Sequence, residues 1–196
     1  MRVRRLIFLR HGQYDERAIS RLGGPLTPLG RKQAARTATA LRKLPVSIVW
    51  TSTLRRARET AAYVAAKQPR ARLKRSTLLC EVIPTKLPRH LKAKIPVDDA
   101  HVSNDRARAD RAFTKLFRAT RDERTEIVVC HGNLIRYLVC RALGIHPKLW
   151  MRLDSTHCGL TEFRVLRGGK VRVVRYNDVG HIPPAMRTVA GAANQK

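Results

Sequence analysis

Chemistry in this chain begins at Arg10-His11-Gly12, which follow the apolar run Leu6-Ile7-Phe8-Leu9. Four consecutive apolar residues after Val3 read as a strand buried on both faces. Gly12 lets the backbone turn sharply where that strand stops. An imidazole and a guanidinium therefore sit at the carboxyl end of a central strand, where open α/β sheets place their ligands. The pair suits attack on phosphorus. A phosphomonoester carries close to two negative charges near neutral pH, which repel an anionic nucleophile but not a neutral imidazole. An arginine offers a planar, permanently charged fork for the phosphoryl oxygens.

Two further stretches repeat the pattern. Residues 46–50 read as a short β-branched strand ending in Thr51-Ser52-Thr53, and a helix follows that carries Arg55, Arg56, Arg58 and Glu59 to about Lys67. Residues 126–130 read as a strand ending in His131-Gly132-Asn133, with a helix starting at once and Gly144 closing it. Helix N-termini favour anions, so both turns bring anion-binding capacity to the same sheet edge.

The elements that must hold these residues are legible in outline. Thr27 and Pro28 read as the N-cap and first position of a helix whose buried stripe is Ala34, Ala38 and Leu41. Residues 71–79 read as a third strand leading to Cys80-Glu81, and residues 84–101, with three prolines, as a loop placed to act as a lid or specificity segment. A helix is expected from Ser103 to Thr120, and two strands, about 159–166 and 171–176, joined at Arg167-Gly168-Gly169-Lys170. Strands alternating with helices give an α/β domain, a three-layer αβα sandwich with a mostly parallel sheet. A single domain is expected over residues 1–187, with a frayed tail from 188 to 196. His11, Arg56, Glu81 and His131 would each follow the end of a different strand.

Leu9-Arg10-His11-Gly12, Leu26-Thr27-Pro28-Leu29-Gly30, the Ser-x-Leu-x-Arg-Ala run at 52–57 and Cys130-His131-Gly132-Asn133 resemble, in order and spacing, the motifs of the histidine phosphatase (phosphoglycerate mutase-like) superfamily. Arg10–Tyr14, His131–Leu143 and the Gly180–Pro184 tail are similar to its branch of mitochondrial serine/threonine-protein phosphatases. The resemblance implies a phosphohistidine formed on His11, phosphoryl oxygens held by Arg10, Arg56 and His131, and Glu81 as general acid. Gly12, Gln13, Gly132 and Asn133, which flank the two histidines, are the expected substrate-binding positions. No metal or other cofactor is implied. Where the family's mutases have an asparagine that helps bind phosphate, this chain has Arg17, which weakens a glycolytic reading.

Composition limits the alternatives. The formal net charge is +27 on 196 residues, which favours anionic partners: phosphorylated protein, a small phosphomonoester, or polyanions held non-specifically. The basic residues are scattered rather than blocked, and aromatics are only 5%, which argues against a base-stacking surface. None of Cys80, Cys130, Cys140 and Cys158 forms a Cys-x-x-Cys pair, so they read as buried, reduced thiols. His90, His101, His146, His157 and His181 read as structural or surface residues. No apolar run approaches the roughly 18–20 residues needed to span a bilayer, and Arg10-His11 interrupts the basic start before any cleavage site. A cytoplasmic location is the resulting expectation. The leading function is a metal-independent phosphomonoesterase acting on phosphoserine or phosphothreonine in proteins. The competing functions are a small-metabolite phosphatase or mutase, and a non-catalytic polyanion-binding module.

Overall fold

β1 (Arg4–Arg10) is the strand around which the sheet is laid. Leu6, Ile7, Phe8 and Leu9 are all fully buried, as a run apolar on both faces requires. Successive side chains divide between two cores. Leu6 and Phe8 pack with Ala109, Leu116, Leu134 and Leu138, whereas Ile7 and Leu9 pack with Ala34, Ala38, Ala57 and Ala61. The helices supplying these residues are α1 (Pro28–Leu41) and α2 (Arg55–Ala66) on one face, and α4 (Asp99–Leu116) and α5 (Gly132–Leu143) on the other. That is the expected three-layer arrangement. The computed structural model describes residues 3–189, apart from Ile19, Arg21, Ala93, Lys94 and Pro96.

The six strands run in the order β3-β2-β4-β1-β5-β6, with β2 (Val46–Thr51), β3 (Arg72–Arg75), β4 (Arg124–Cys130), β5 (Leu160–Val165) and β6 (Val171–Asp178). β3, β2, β4 and β1 are parallel, whereas β5 pairs antiparallel with β1, and β6 antiparallel with β5. Register decides what happens at the carboxyl edge. Arg10 pairs with Cys130, so His11 and His131 are each the next residue beyond a matched pair on neighbouring strands. Thr51 pairs with Val129, which brings Ser52 level with Cys130, one residue short of His131. Strands about 4.8 Å apart then hold His11, His131 and Ser52 close together.

Three expectations change. The strand foreseen over 71–79 is only Arg72–Arg75, because the Ser76 hydroxyl accepts from Leu78 N at 3.3 Å and turns the chain into one 3-10 turn, Thr77–Leu79. Glu81 therefore follows that turn rather than a strand end. The helix foreseen from Ser103 starts at Asp99, since the Asp98 carboxylate caps it by accepting from His101 N at 2.6 Å. The segment 84–101 is not all loop, for it also contains the short helix α3 (Arg89–Lys92). Of the expected tail, residues 190–196 lie outside the described residues, but Val189 bridges to Thr156 and Thr188 bonds His157. Among the described residues no helix is long and apolar enough to cross a membrane.

Candidate active site

His11 is 1% exposed, and its backbone N–H reaches Cys130 O at 3.0 Å across the strand pair. Its Nδ1 lies 2.8 Å from Gly12 O. A carbonyl only accepts, so Nδ1 carries the proton and Nε2 keeps the lone pair. Arg56, in the first turn of α2, donates its Nε–H to that Nε2 at 3.0 Å. The Arg56 guanidinium is itself placed by two neighbours. It lies 4.5 Å over the Tyr14 ring, and the chain passes so close at Gly23 that a Cβ there would sit 2.5 Å from Nη1. Gly23 also has a positive φ of 75°, which glycine adopts without strain.

His131 is fully buried at the N-cap of α5, with its ring 5.0 Å from that of His11. Its Nε2 lies 2.8 Å from Ser52 Oγ, and its Nδ1 has no partner among the described residues. Arg10 is buried too. One guanidinium nitrogen donates to Ser155 O, and its Nε is unpartnered among the described residues. Buried polar atoms without partners are uncommon in folded proteins, and Arg10 Nε, His131 Nδ1 and His157 Nε2 are three of them on residues around His11.

The Glu81 carboxylate accepts from Val82 N at 3.1 Å and, more weakly, from Leu134 N at 3.4 Å in the first turn of α5. Its backbone is held in place from both sides. Arg108 donates to Glu81 O at 2.6 Å, and the Asp105 carboxylate accepts from Ile83 N at 2.7 Å.

The four flanking positions divide differently. Gly12 N–H donates to Thr60 Oγ1 at 3.1 Å, and a Cβ at Gly12 would lie 2.6 Å from Gly30 O, so this glycine lets α1 approach the strand end. Gln13 faces the cap of α1, where its Oε1 accepts from Thr27 Oγ1 at 2.7 Å. Asn133 donates to Val82 O at 3.0 Å and accepts from Arg136, and so braces the segment carrying Glu81. Gly132 borders Arg10, whose Nε a Cβ there would meet at 3.3 Å.

Ser52 and His157 were not singled out from sequence as site residues. A hydroxyl-rich strand end was visible at 51–53, but which hydroxyl meets His131 depends on the β2–β4 register. His157, expected to be structural or at the surface, is 2% exposed with its ring 5.6 Å from His11. No spacing in the sequence signals it. It is delivered by Cys158, whose positive φ of 58° folds the chain so that its N–H reaches Arg10 O at 3.1 Å.

The electrostatics follow from burial beside fixed cations. Burial holds His11 well below the usual imidazole range, and His131, Arg10, Arg56 and His157 push it the same way. His131 is lowered well below that range by burial, then by Arg56 and Arg10. Burial lowers Arg10 to about 10, against the opposing pull of Glu81. Burial raises Glu81, and the Val82 N–H and the arginines only partly offset this. The site thus presents neutral imidazoles, cationic guanidiniums and a carboxyl that holds its proton to higher pH than usual. Cys130 is raised by burial and stays a thiol.

A family model described as "Histidine phosphatase superfamily (branch 1)" matches residues 6–95 and 86–179 of this chain. The chain belongs to the histidine phosphatase superfamily. Among curated members, the mitochondrial serine/threonine-protein phosphatase Pgam5 of Caenorhabditis elegans is 33% identical over 190 residues. That match covers 93% of this chain and 65% of the relative, so the chain spans just under two thirds of the relative's length. Phosphoglycerate mutase from Plasmodium falciparum is 26% identical with a TM-score of 0.65, covering 93% of this chain and 96% of that one. A mycobacterial glucosyl-3-phosphoglycerate phosphatase is 26% identical with a TM-score of 0.67, covering 90% of this chain and 99% of that one. Histidine phosphatases share this α/β fold, as the mutase likeness shows. The expected cytoplasmic location is corrected by these relatives, because the Pgam5 proteins of worm, frog and rat are mitochondrial. Hydropathy had suggested otherwise only because the lack of a membrane-spanning run says nothing about compartment.

Proposed function

We propose that this histidine phosphatase hydrolyses phosphomonoesters through a phosphohistidine on His11 Nε2, with phosphoserine and phosphothreonine in proteins as substrates. The observation that carries the reading is the fixed tautomer of His11: Nδ1–H is tied to Gly12 O, and the Nε2 lone pair lies against Arg56. Nε2 attacks phosphorus as the P–O ester bond breaks, and the departing oxygen takes the Glu81 proton. Arg10, Arg56 and His131 neutralise charge on the equatorial oxygens. Water then attacks the phosphohistidine while the Glu81 carboxylate takes its proton, which restores both groups and releases phosphate.

The protein-substrate reading draws on the Pgam5 relatives and on the rim beside Arg56. Arg55 and Arg58 are exposed there and, with Leu22, Leu73, Arg75 and Glu59, line a cleft of about 490 Å³; Glu59 pairs with Arg55 at 2.7 Å, which leaves Arg58 and Arg75 to face an acidic segment flanking a phosphorylated residue. The mutase and glucosyl-3-phosphoglycerate phosphatase likenesses support a small-metabolite substrate instead. Side-by-side turnover of phosphopeptides, 3-phosphoglycerate and sugar phosphates tests this, and faster turnover of the phosphopeptides is the expected result. His11→Ala should abolish p-nitrophenyl phosphate hydrolysis, whereas EDTA should leave the wild type active. Full activity in that variant would overturn the proposal. A steep salt dependence of nucleic-acid binding without turnover would favour a polyanion-binding module.

A further inference from the structure

His157 has no part in the mechanism above, yet it is a third imidazole of the same pocket. Its neighbours fix which nitrogen carries the proton. Nδ1 lies 3.1 Å from Thr188 O and 2.9 Å from Thr188 Oγ1, and the His157 backbone N–H donates to the same carbonyl at 2.8 Å. A lone pair on Nδ1 would face the carbonyl's lone pairs, so Nδ1 holds the proton. Nε2 is then a bare acceptor, and it is buried with no partner among the described residues. Its ring stands 5.6 Å from His11 and 6.4 Å from Tyr14.

His131 is wired differently. Its Nε2 faces a hydroxyl, Ser52 Oγ, which either donates or accepts. The His131 ring can therefore offer Nδ1–H to an oxyanion while remaining neutral. His157 has no such freedom, because it can offer a hydrogen only after gaining a proton.

We propose that His157 binds the phosphoryl group together with one proton, shared between His157 Nε2 and a phosphoryl oxygen. The inference rests on the phosphatase reading and goes beyond it by naming the ionisation state that the pocket selects. The proton balance is simple. A monoanionic phosphomonoester brings its own P–OH proton, whereas a dianion binds with one proton taken from solvent. The charged and titratable groups facing His157 are Arg10 at the end of β1, Arg56 on α2, and the rings of His11 and Tyr14. Burial, followed by Arg10 and Arg56, lowers His157 to about 3 with the pocket empty, so the ring is neutral until an anion offsets both guanidiniums.

The test uses inorganic phosphate as the probe and needs no turnover. Calorimetric titration at about pH 8, in buffers of differing ionisation enthalpy, counts protons taken up per phosphate bound. The wild type should take up close to one, and its phosphate Kd should rise about tenfold per pH unit on the alkaline side. His157→Asn should bind with little proton uptake and a nearly flat alkaline Kd profile, and His157→Gln repeats the measurement if the first variant is unstable. Phosphate binding without proton uptake by the wild type, or equal uptake in wild type and variant, overturns the role of His157 and leaves the phosphatase reading standing. Failure of phosphate to bind the wild type at all overturns both.

Discussion

Arg56→Lys isolates the planar fork from the charge. In the structure the guanidinium carbon lies 4.5 Å over the Tyr14 ring while Nε donates to His11 at 3.0 Å. A lysine keeps the positive charge but offers a point in place of a fork. It loses the Nε donor and one arm of any bidentate contact to a phosphoryl oxygen. Charge-assisted hydrogen bonds contribute about 1.5–3 kcal/mol each, and loss of one positioned donor to a developing oxyanion costs about 2.7–4 kcal/mol. A loss near 3 kcal/mol corresponds to a fall of roughly two orders of magnitude in kcat/KM. The contact forms most strongly in the transition state, so kcat should fall with kcat/KM. The fold should survive, because the charge-assisted bond lost on substitution contributes about 1.5–3 kcal/mol and lowers Tm by roughly 3–12 °C. Steady-state kinetics on a phosphoserine peptide, with thermal melts of both proteins, make the measurement. A kcat/KM within threefold of wild type, or a loss confined to KM, would refute the reasoning.

Other consequences are equally direct. Burial keeps Glu81 protonated above the usual carboxylate range, so kcat/KM for an alkyl phosphate should fall as pH rises through that raised value. Glu81→Gln should make the alkaline limb shallower by the Glu81 proton, leaving the part set by His157, and should lower the rate by about 10²–10⁴-fold. Gly12→Ala should destabilise the fold by about 1–3 kcal/mol, seen as a lower denaturant midpoint, because its Cβ would lie 2.6 Å from Gly30 O and the obstacle is backbone. Glu126 is fully buried and receives bonds from Arg4 at 3.0 and 2.8 Å and from Trp50 at 2.7 Å. Glu126→Ala strands the buried Arg4 and should cost about 3–5 kcal/mol in a melt. Burial alone would raise Glu126, but the Arg4 and Trp50 bonds and the Arg4 and Arg124 charges outweigh it and lower its pKa. Its stabilisation is thus complete above the unfolded carboxylate pKa and is lost as pH falls through the depressed folded value.

What the sequence made legible was local. Leu6–Leu9 announced a strand buried on both faces because nothing polar interrupts them, and Thr27-Pro28 announced α1, which the Thr27 hydroxyl caps by accepting from Gly30 N at 3.0 Å. The arginine and the histidines at strand ends were readable as types in a pattern. What was not readable depends on contacts between distant segments. The Arg10–Cys130 register, which sets His11 beside His131, joins residues 120 positions apart. His157 enters the pocket through the positive φ of Cys158 and the Thr188 bond, and neither carries a composition or spacing signal. Asn133, expected at a substrate contact from its place two residues after His131, has its amide on Val82 O and Arg136, contacts that the motif does not announce. A motif marks a position, but only the packed chain decides which way the side chain is employed.

Rapid quench during turnover decides whether His11 Nε2 accepts the phosphoryl group. Under alkaline quench and mass spectrometry, a phosphoryl adduct should appear on the peptide carrying His11, survive base, disappear in acid, and be absent from His11→Ala. An adduct on another residue, or undiminished turnover by the alanine variant, would contradict it.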